Sequence, residues 1–183
     1  MEFEIIKNDR EFLALKPDWD RLSTDRHIIN GFEWNYTWWK CNSHGRELNI
    51  VVMKDDKNIV VGIAPLCIEY EKTLKFFKTR TLAFIGGKVS DYRDFLIDKS
   101  NKSHYFKELW NYVINQIPCD SIEFTQINTF YANFDEWKAL SALSNITFEE
   151  NMECRRIKLS NYRSYEDYFE TLKPKHQRNV KRC

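Results

Sequence analysis

A chain of 183 residues with 43% hydrophobic, 15% aromatic and 30% charged residues holds enough apolar surface for one packed domain, and this balance excludes a disordered or low-complexity protein. Its 28 basic and 27 acidic residues leave a net charge of +1, which gives no general electrostatic grip on nucleic acid. The longest apolar stretch, Ile59 to Ile68, contains Gly62 and Pro65 and is too short to span a bilayer.

The first residues, MEFEIIKNDREF, mix charged and apolar positions and carry no signal-peptide core. Cys41, Cys67, Cys119, Cys154 and Cys183 are scattered and form no CxxC pair, the usage expected of reduced thiols in a cytoplasmic protein. Phe3 to Ile6 reads as a strand. Asp9 is a plausible N-cap for a helix that places Phe12, Leu15, Trp19 and Leu22 on one face, with a kink or break at Pro17. A second helix is expected from about Glu33 to Asn42. Leu48 to Met53, the turn Asp55 to Asn58 and the strand Ile59 to Tyr70 form the clearest hairpin, with a bulge or an edge position at Pro65.

Thr81 to Ile85 is a further strand closed by Gly86-Gly87, and Arg93 to Ile97 is a short one. Ser103 can cap a helix that buries Phe106, Leu109, Val113 and Ile117. Ser121 to Ile127 reads as a strand, and Asn133 with Glu136 has capping-box spacing for a helix through Leu143. Thr147 to Met152 and Arg155 to Leu159 read as a strand pair. Ser164 and Asp167 open a last amphipathic helix, and a new basic helix begins beyond Pro174. The chain stops at Cys183 inside that helix, as expected of a piece of a longer protein. Interleaved strands and helices with at least one hairpin predict a mixed α/β (α+β) fold, a central, mainly antiparallel sheet with helices on both faces.

No nucleophile elbow, P-loop or HExxH occurs, and His27, His44, His104 and His176 are far apart, so no metal site is expected. The loop Ser90-Asp91-Tyr92-Arg93-Asp94 has two readings. Asp91, Tyr92 and Asp94 can position or deprotonate an acceptor, with Arg93 holding one carboxylate ionised or pointing to solvent. Equally, the loop can be a solvated turn in which Asp91 caps backbone N–H groups. The helix over Glu33 to Asn42 has two apolar faces, Phe32, Tyr36 and Trp39 on one and Trp34, Trp38 and Cys41 on the other. The second face must meet a layer of this domain, a partner or a ligand. Trp38 there can form an aromatic wall for stacking on a sugar. The basic runs 72–80 and 173–182 read as solvated faces.

The tracts VVMKDDKNIVVGIAPLCI, RTLAFIGGKVSDYRDFLI and SYEDYFETLKPKHQRNVKR together resemble the CelD-type acetyltransferases. These are linked to cellulose and other envelope polysaccharide synthesis and are related to FemAB within the GNAT superfamily. The resemblance implies that residues 1–172 are an N-terminal GNAT-like domain. Residues 173–183, with Lys175, Arg178 and Arg182, would start a helix leading into a second GNAT-like domain, the expected partner in the same chain. It implies transfer of an acyl group, acetyl above all, from acyl-CoA to an amine or hydroxyl of a sugar or envelope precursor, with the second domain holding most of the donor. The alternatives are a non-catalytic module that binds a protein partner or glycan, and a FemAB-like transferase using aminoacyl-tRNA. In the GNAT pattern a glycine-rich turn ahead of a helix cradles the donor pyrophosphate. Here that turn is DKSNKS, without glycine and with the charge of Asp98, so it reads as an ordinary strand-to-helix connection and this chain alone is expected to be inactive.

Overall fold

Apolar residues in the first and fifth dozens of the chain produce the first strand pair. Strand β1 (Glu2–Ile6) runs antiparallel to β3 (Ile50–Lys54), from Glu2 opposite Lys54 to Ile6 opposite Ile50. The computed structural model describes residues 1–24, 26–74, 77–129, 133–141, 146–147, 149 and 157–182. These form two compact units, Met1–Ile146 and Thr147–Cys183.

In the first unit, the helix expected to kink or break at Pro17 is broken, into α1 (Asp9–Ala14) and α2 (Lys16–Ser23). Pro17 falls in the first turn of α2, where its missing N–H costs nothing, so the break lies at Leu15. The N-cap is Asn8 rather than Asp9, since its side chain accepts from the Glu11 N–H. Asp9 instead accepts from Trp39 Nε1 (2.9 Å) and Lys40 Nζ (2.6 Å) of α3 (Phe32–Asn42). Phe12, Leu15, Trp19 and Leu22 are all buried, as their spacing predicts.

The hairpin is antiparallel as expected, but both of its strands change partners midway. Strand β2 (Arg46–Leu48) passes through Asn49 into β3, and β4 (Val60–Ala64) passes through Pro65 into β5 (Leu66–Leu74). One four-stranded group has the order β1-β3-β4-β7, with β7 at Leu96–Ile97. The other has the order β2-β5-β6-β8, with β6 at Phe77–Phe84 and β8 at Ser121–Ile122. Among the described residues all pairings are antiparallel except β6 with β8. Pro65 sits at the switch between groups, where its carbonyl accepts from Ile85 N (2.9 Å).

Period-two alternation sends side chains to two cores. Ile50, Val52, Ile63 and Cys67 meet α1, α2 and α3 on one face. Val51, Met53, Leu66 and Ile68 meet the other, with Phe106, Leu109 and Val113 of α4 (Lys102–Gln116) and Trp137 and Leu140 of α5 (Phe134–Ser141). The protein is therefore a mixed α+β fold with a mainly antiparallel sheet covered by helices on both faces. An aromatic group on the α4 side sets Phe95 against Trp137 at 4.9 Å and Phe106 at 5.5 Å between centroids.

The second unit contains α6 (Tyr165–Glu170) and α7 (Pro174–Val180). Ser164 caps α6 by accepting from Asp167 N, while Asp167 accepts from Arg163 N, and Pro174 opens α7. The expected strand pair around residues 147–159 lies mostly outside the described residues. Its last residue, Leu159, begins a 3-10 turn. No helix among the described residues is long and apolar enough to cross a membrane.

Candidate functional site

Strands β6 and β7 pair with successive stretches of one neighbour, β5 and β4. Phe84 ends β6 opposite Leu66, Ile85 N bonds to Pro65 O, and Leu96 resumes pairing opposite Ile63. A single residue, Ala64, separates these positions on the neighbouring strand, whereas all of residues 86–95 separate them on this one. The strand thus leaves the sheet, forms a loop and returns to pair with the same neighbour. An interruption of this size places side chains and backbone outside the ladder while both ends stay fixed.

The loop is held rigidly. Gly86 (φ 114°) and Gly87 (φ 55°) start it in backbone conformations that other residues rarely adopt. A Cβ on Gly86 would stand 2.6 Å from Ser90 Oγ, and one on Gly87 would stand 2.8 Å from Trp38 Cζ2. Ser90, fully buried, donates to Gly86 O (2.8 Å) and accepts from Trp34 Nε1 (2.9 Å). The second aromatic face of α3, Trp34 and Trp38, is therefore met by this loop, and Trp38 stands beside it. Arg46 lies over the Trp38 ring, at 5.2 Å.

The five residues expected to carry chemistry take different directions. Asp91 is exposed. Tyr92 is half-buried, with its ring 4.6 Å from that of His27, and it has φ 58°, a strained value for a bulky residue. Its carbonyl accepts from Asn30 Nδ2 (2.7 Å), while Asn30 O accepts from the buried Trp19 Nε1 (2.8 Å). The strain is thus braced through Asn30 to the core of α2.

Asp94 and Arg93 differ from the expectation. Asp94 is buried rather than lining a surface. Its Oδ1 accepts from Phe95 N and Trp137 Nε1, both at 2.9 Å, and its Oδ2 accepts from Asn133 N and Arg26, both at 3.3 Å. Burial pushes its pKa up, against the lowering pull of Trp137 and then Arg26. Arg93 neither meets solvent nor ion-pairs with a carboxylate among the described residues. It donates to Phe84 O (3.1 Å) and Thr125 Oγ1 (2.7 Å), its backbone N donates to Gln126 O (3.2 Å), and its Nε is a buried donor without an acceptor. The reason lies in the sheet. Parallel pairing of β6 and β8 ends near Leu82 and Ile122, and the guanidinium spans the gap beyond. Burial pulls its pKa down to about 10.

Asn30, Ser90, Trp34 and Arg26 position this loop; Asn30 and Arg26 were not singled out by sequence, and Ser90 and Trp34 were named there without this role. Their only signals were an Asn before Gly31 and the unexplained second face of α3. The expected capping box at Asn133 and Glu136 also fails. Asn133 Nδ2 donates to Phe95 O (2.8 Å), its Oδ1 has no partner, and Glu136 bonds Ser103. Both residues tie α5 to its neighbours instead.

The turn before α4 does not fit a coenzyme A pyrophosphate. Asp98 Oδ1 already accepts from Ser100 N (2.9 Å) and Ser100 Oγ (2.6 Å), so a carboxylate stands where the phosphate charge would go. Among the described residues no group of three or more His, Cys, Asp or Glu could hold a metal ion.

No family model and no curated protein sequence matches the chain. Solved structures do. A tetramutant of the BH1408 protein from Bacillus halodurans is 12% identical over 85% of this chain and 100% of its own, with a TM-score of 0.47. Glucosamine-6-phosphate N-acetyltransferase from Arabidopsis thaliana is 10% identical over 84% and 99%, with a TM-score of 0.40. An acetyltransferase from Trypanosoma brucei is 8% identical over 85% and 100%, with a TM-score of 0.41.

Proposed function

We propose that this chain is the acceptor-side part of a GNAT-superfamily acyltransferase, one that moves an acyl group, acetyl above all, from a thioester to an amine or hydroxyl on a sugar or envelope precursor. The observation that carries this reading is the interruption between β6 and β7. It presents Asp91 and the strained Tyr92 on a braced loop beside Trp34 and Trp38. A carboxylate held this way, or a phenol in its ionised form, can take the proton that an amine or hydroxyl loses on attack. Trp38 supplies an apolar wall that excludes water from one side. Asp94 and Arg93 act by fixing the loop. The donor belongs elsewhere in a longer protein, because the Asp98 turn is unsuited to its pyrophosphate.

The test uses acetyl-CoA and aminoacyl-tRNA as donors with a panel of amino sugars and sugars, and the longest natural form of the protein. Asp91→Asn and Tyr92→Phe should each lower turnover, the true base by about 10²-fold or more. Wild-type turnover in both variants would falsify the assignment. The unsuited turn also favours a second reading, a non-catalytic module for a glycan or protein. Absence of transfer from either donor, with saturable binding of a glycan retained, would establish it.

A further inference from the structure

Among the described residues, three other than glycine have a positive φ: Asn58, Tyr92 and Gln126. Asn58 closes a turn by donating its N–H to Asp55 O, and asparagine tolerates such a value there. The other two are bonded to one another's segments. The peptide that joins Tyr92 to Arg93 donates its N–H to Gln126 O (3.2 Å) and accepts at Tyr92 O from Asn30 Nδ2 (2.7 Å). Arg93 Nη2 adds a bond to Thr125 Oγ1 (2.7 Å). Two left-handed positions are thus clamped together, one on the loop that carries Asp91 and one on the segment after β8. Strain of this kind persists only where the surrounding structure holds it, and it gathers at binding sites.

At Gln126 the fold accounts for the backbone but not for the side chain. Phe124 and Ile127 both pack against the α4-side core, three positions apart, where strict alternation spaces residues of one face by two. The left-handed residue between them takes up the odd position, so Ile127 enters the core and Gln126 (φ 64°) stays out of it. Glycine would make that bend without strain. Glutamine stands there instead, half-buried, and among the described residues its carboxamide makes no hydrogen bond. It is no sealed orphan either, since the buried side-chain atoms without a partner belong to Arg93, Asn133 and Glu136. The amide therefore reaches solvent with its donors and acceptor unused.

The geometry points to Gln126 as an acceptor-binding residue of this site, whose carboxamide hydrogen-bonds an uncharged group that both donates and accepts, a sugar hydroxyl or an acylamino group. This assignment rests on the acyltransferase reading of the loop. A carboxamide offers two donors and an acceptor without net charge, so it selects by hydrogen-bond pattern and not by ionic attraction. Arg93, the cation bonded to this segment, is buried and spends both terminal nitrogens on Phe84 O and Thr125 Oγ1. The exposed Asp91 carboxylate is close enough to act on the Arg93 charge. An anionic acceptor group would meet that carboxylate, and the inward-turned Arg93 would not offset it.

The experiment uses the longest natural form of the protein with glucose, glucosamine, N-acetylglucosamine and glucose 6-phosphate. Binding is followed by the side-chain amide resonances of Gln126, and transfer by acceptor KM and kcat with acetyl-CoA or aminoacyl-tRNA as donor. At least one of the three unphosphorylated sugars should shift Gln126 saturably, with a dissociation constant of about 10 mM or tighter. Glucose 6-phosphate should bind no more tightly than glucose. Gln126→Gly, which relaxes the backbone, should melt no lower than wild type. It should still weaken sugar binding and raise acceptor KM about tenfold or more, a larger factor than any loss in kcat. Gln126→Asn, which suits the left-handed backbone and keeps a carboxamide, should recover part of the loss. Transfer with unchanged acceptor KM in folded Gln126→Gly overturns this assignment and leaves the acyltransferase reading standing. Saturable sugar shifts at Gln126 without transfer from either donor overturn that reading and keep Gln126 as a contact residue. No shift at Gln126 from any sugar, or tighter binding of glucose 6-phosphate, overturns the proposal, and this wild-type titration decides by itself should a variant not fold.

Discussion

Gly86 and Gly87 each carry a positive φ and each face an atom that a Cβ would strike, Ser90 Oγ and Trp38 Cζ2. Alanine at Gly87 must then strain the backbone or push Trp38 away from the loop. Gly87→Ala should cost about 1–3 kcal/mol in urea unfolding and alter tryptophan fluorescence, whereas an unchanged midpoint would mean the loop is free to move. The double glycine was legible as a strand end. The inward turn of Arg93 and Asp94 was not, because SDYRD has the composition of a solvated turn. What buries Asp94 are Arg26, Asn133 and Trp137, which stand 68, 39 and 43 residues away in sequence. Asp94→Ala leaves Arg26 as a buried charge without its counter-ion and should cost about 3–5 kcal/mol by denaturant unfolding. A loss under about 1 kcal/mol would show that water reaches Arg26 readily.

At the scale of elements, the helices followed from their spacing and the strands only in part. The faces of α1, α2 and α4 could be read because each needs one apolar stripe and shows one. The switch of partners at Pro65 could not, since alternation continues through it and only the pairing changes. Likewise Arg93 to Ile97 and Ser121 to Ile127 have strand chemistry, yet only Leu96–Ile97 and Ser121–Ile122 pair. The loop and the parted strands take the remainder. The 3-10 turn Lys99–Asn101 ahead of α4 gives a test with a pH signature. Ser100's hydroxyl and N–H, with Arg21 beyond them, hold the Asp98 carboxyl below its ordinary range. Because the folded value is depressed, its stabilisation is present above the unfolded carboxylate range and is lost as pH falls through the folded value. Asp98→Ala should cost about 0.5–1 kcal/mol near neutral pH, the lower part of the capping range because the group is partly exposed. Urea unfolding should show the gap between wild type and variant narrowing toward about pH 2. A gap independent of pH would assign the loss to packing instead.

For the whole molecule, the distribution of burial separates the two units. Every buried core side chain among the described residues lies in Met1–Ile146, in the two layers that sandwich the sheet. The described helices of the second unit, α6 and α7, bury no residue, and Ile157, Leu159, Tyr165 and Val180 are exposed there. Helices of six and seven residues are too short to persist in water on propensity alone. The first unit has the size and two-sided core of an independent domain, while the second is short and its described residues form no such core. A chain ending at Ile146 should therefore retain cooperative thermal unfolding and the near-ultraviolet dichroism of its buried tryptophans. A peptide of residues 147–183 should show little helix by circular dichroism. Amide exchange in the intact chain should place protection in β3, β4, β5 and α4, with α6 and α7 exchanging at rates close to an unfolded peptide. Loss of cooperative unfolding in the shortened chain, or strong protection in α6 and α7, would show that the second unit completes the fold instead of following it.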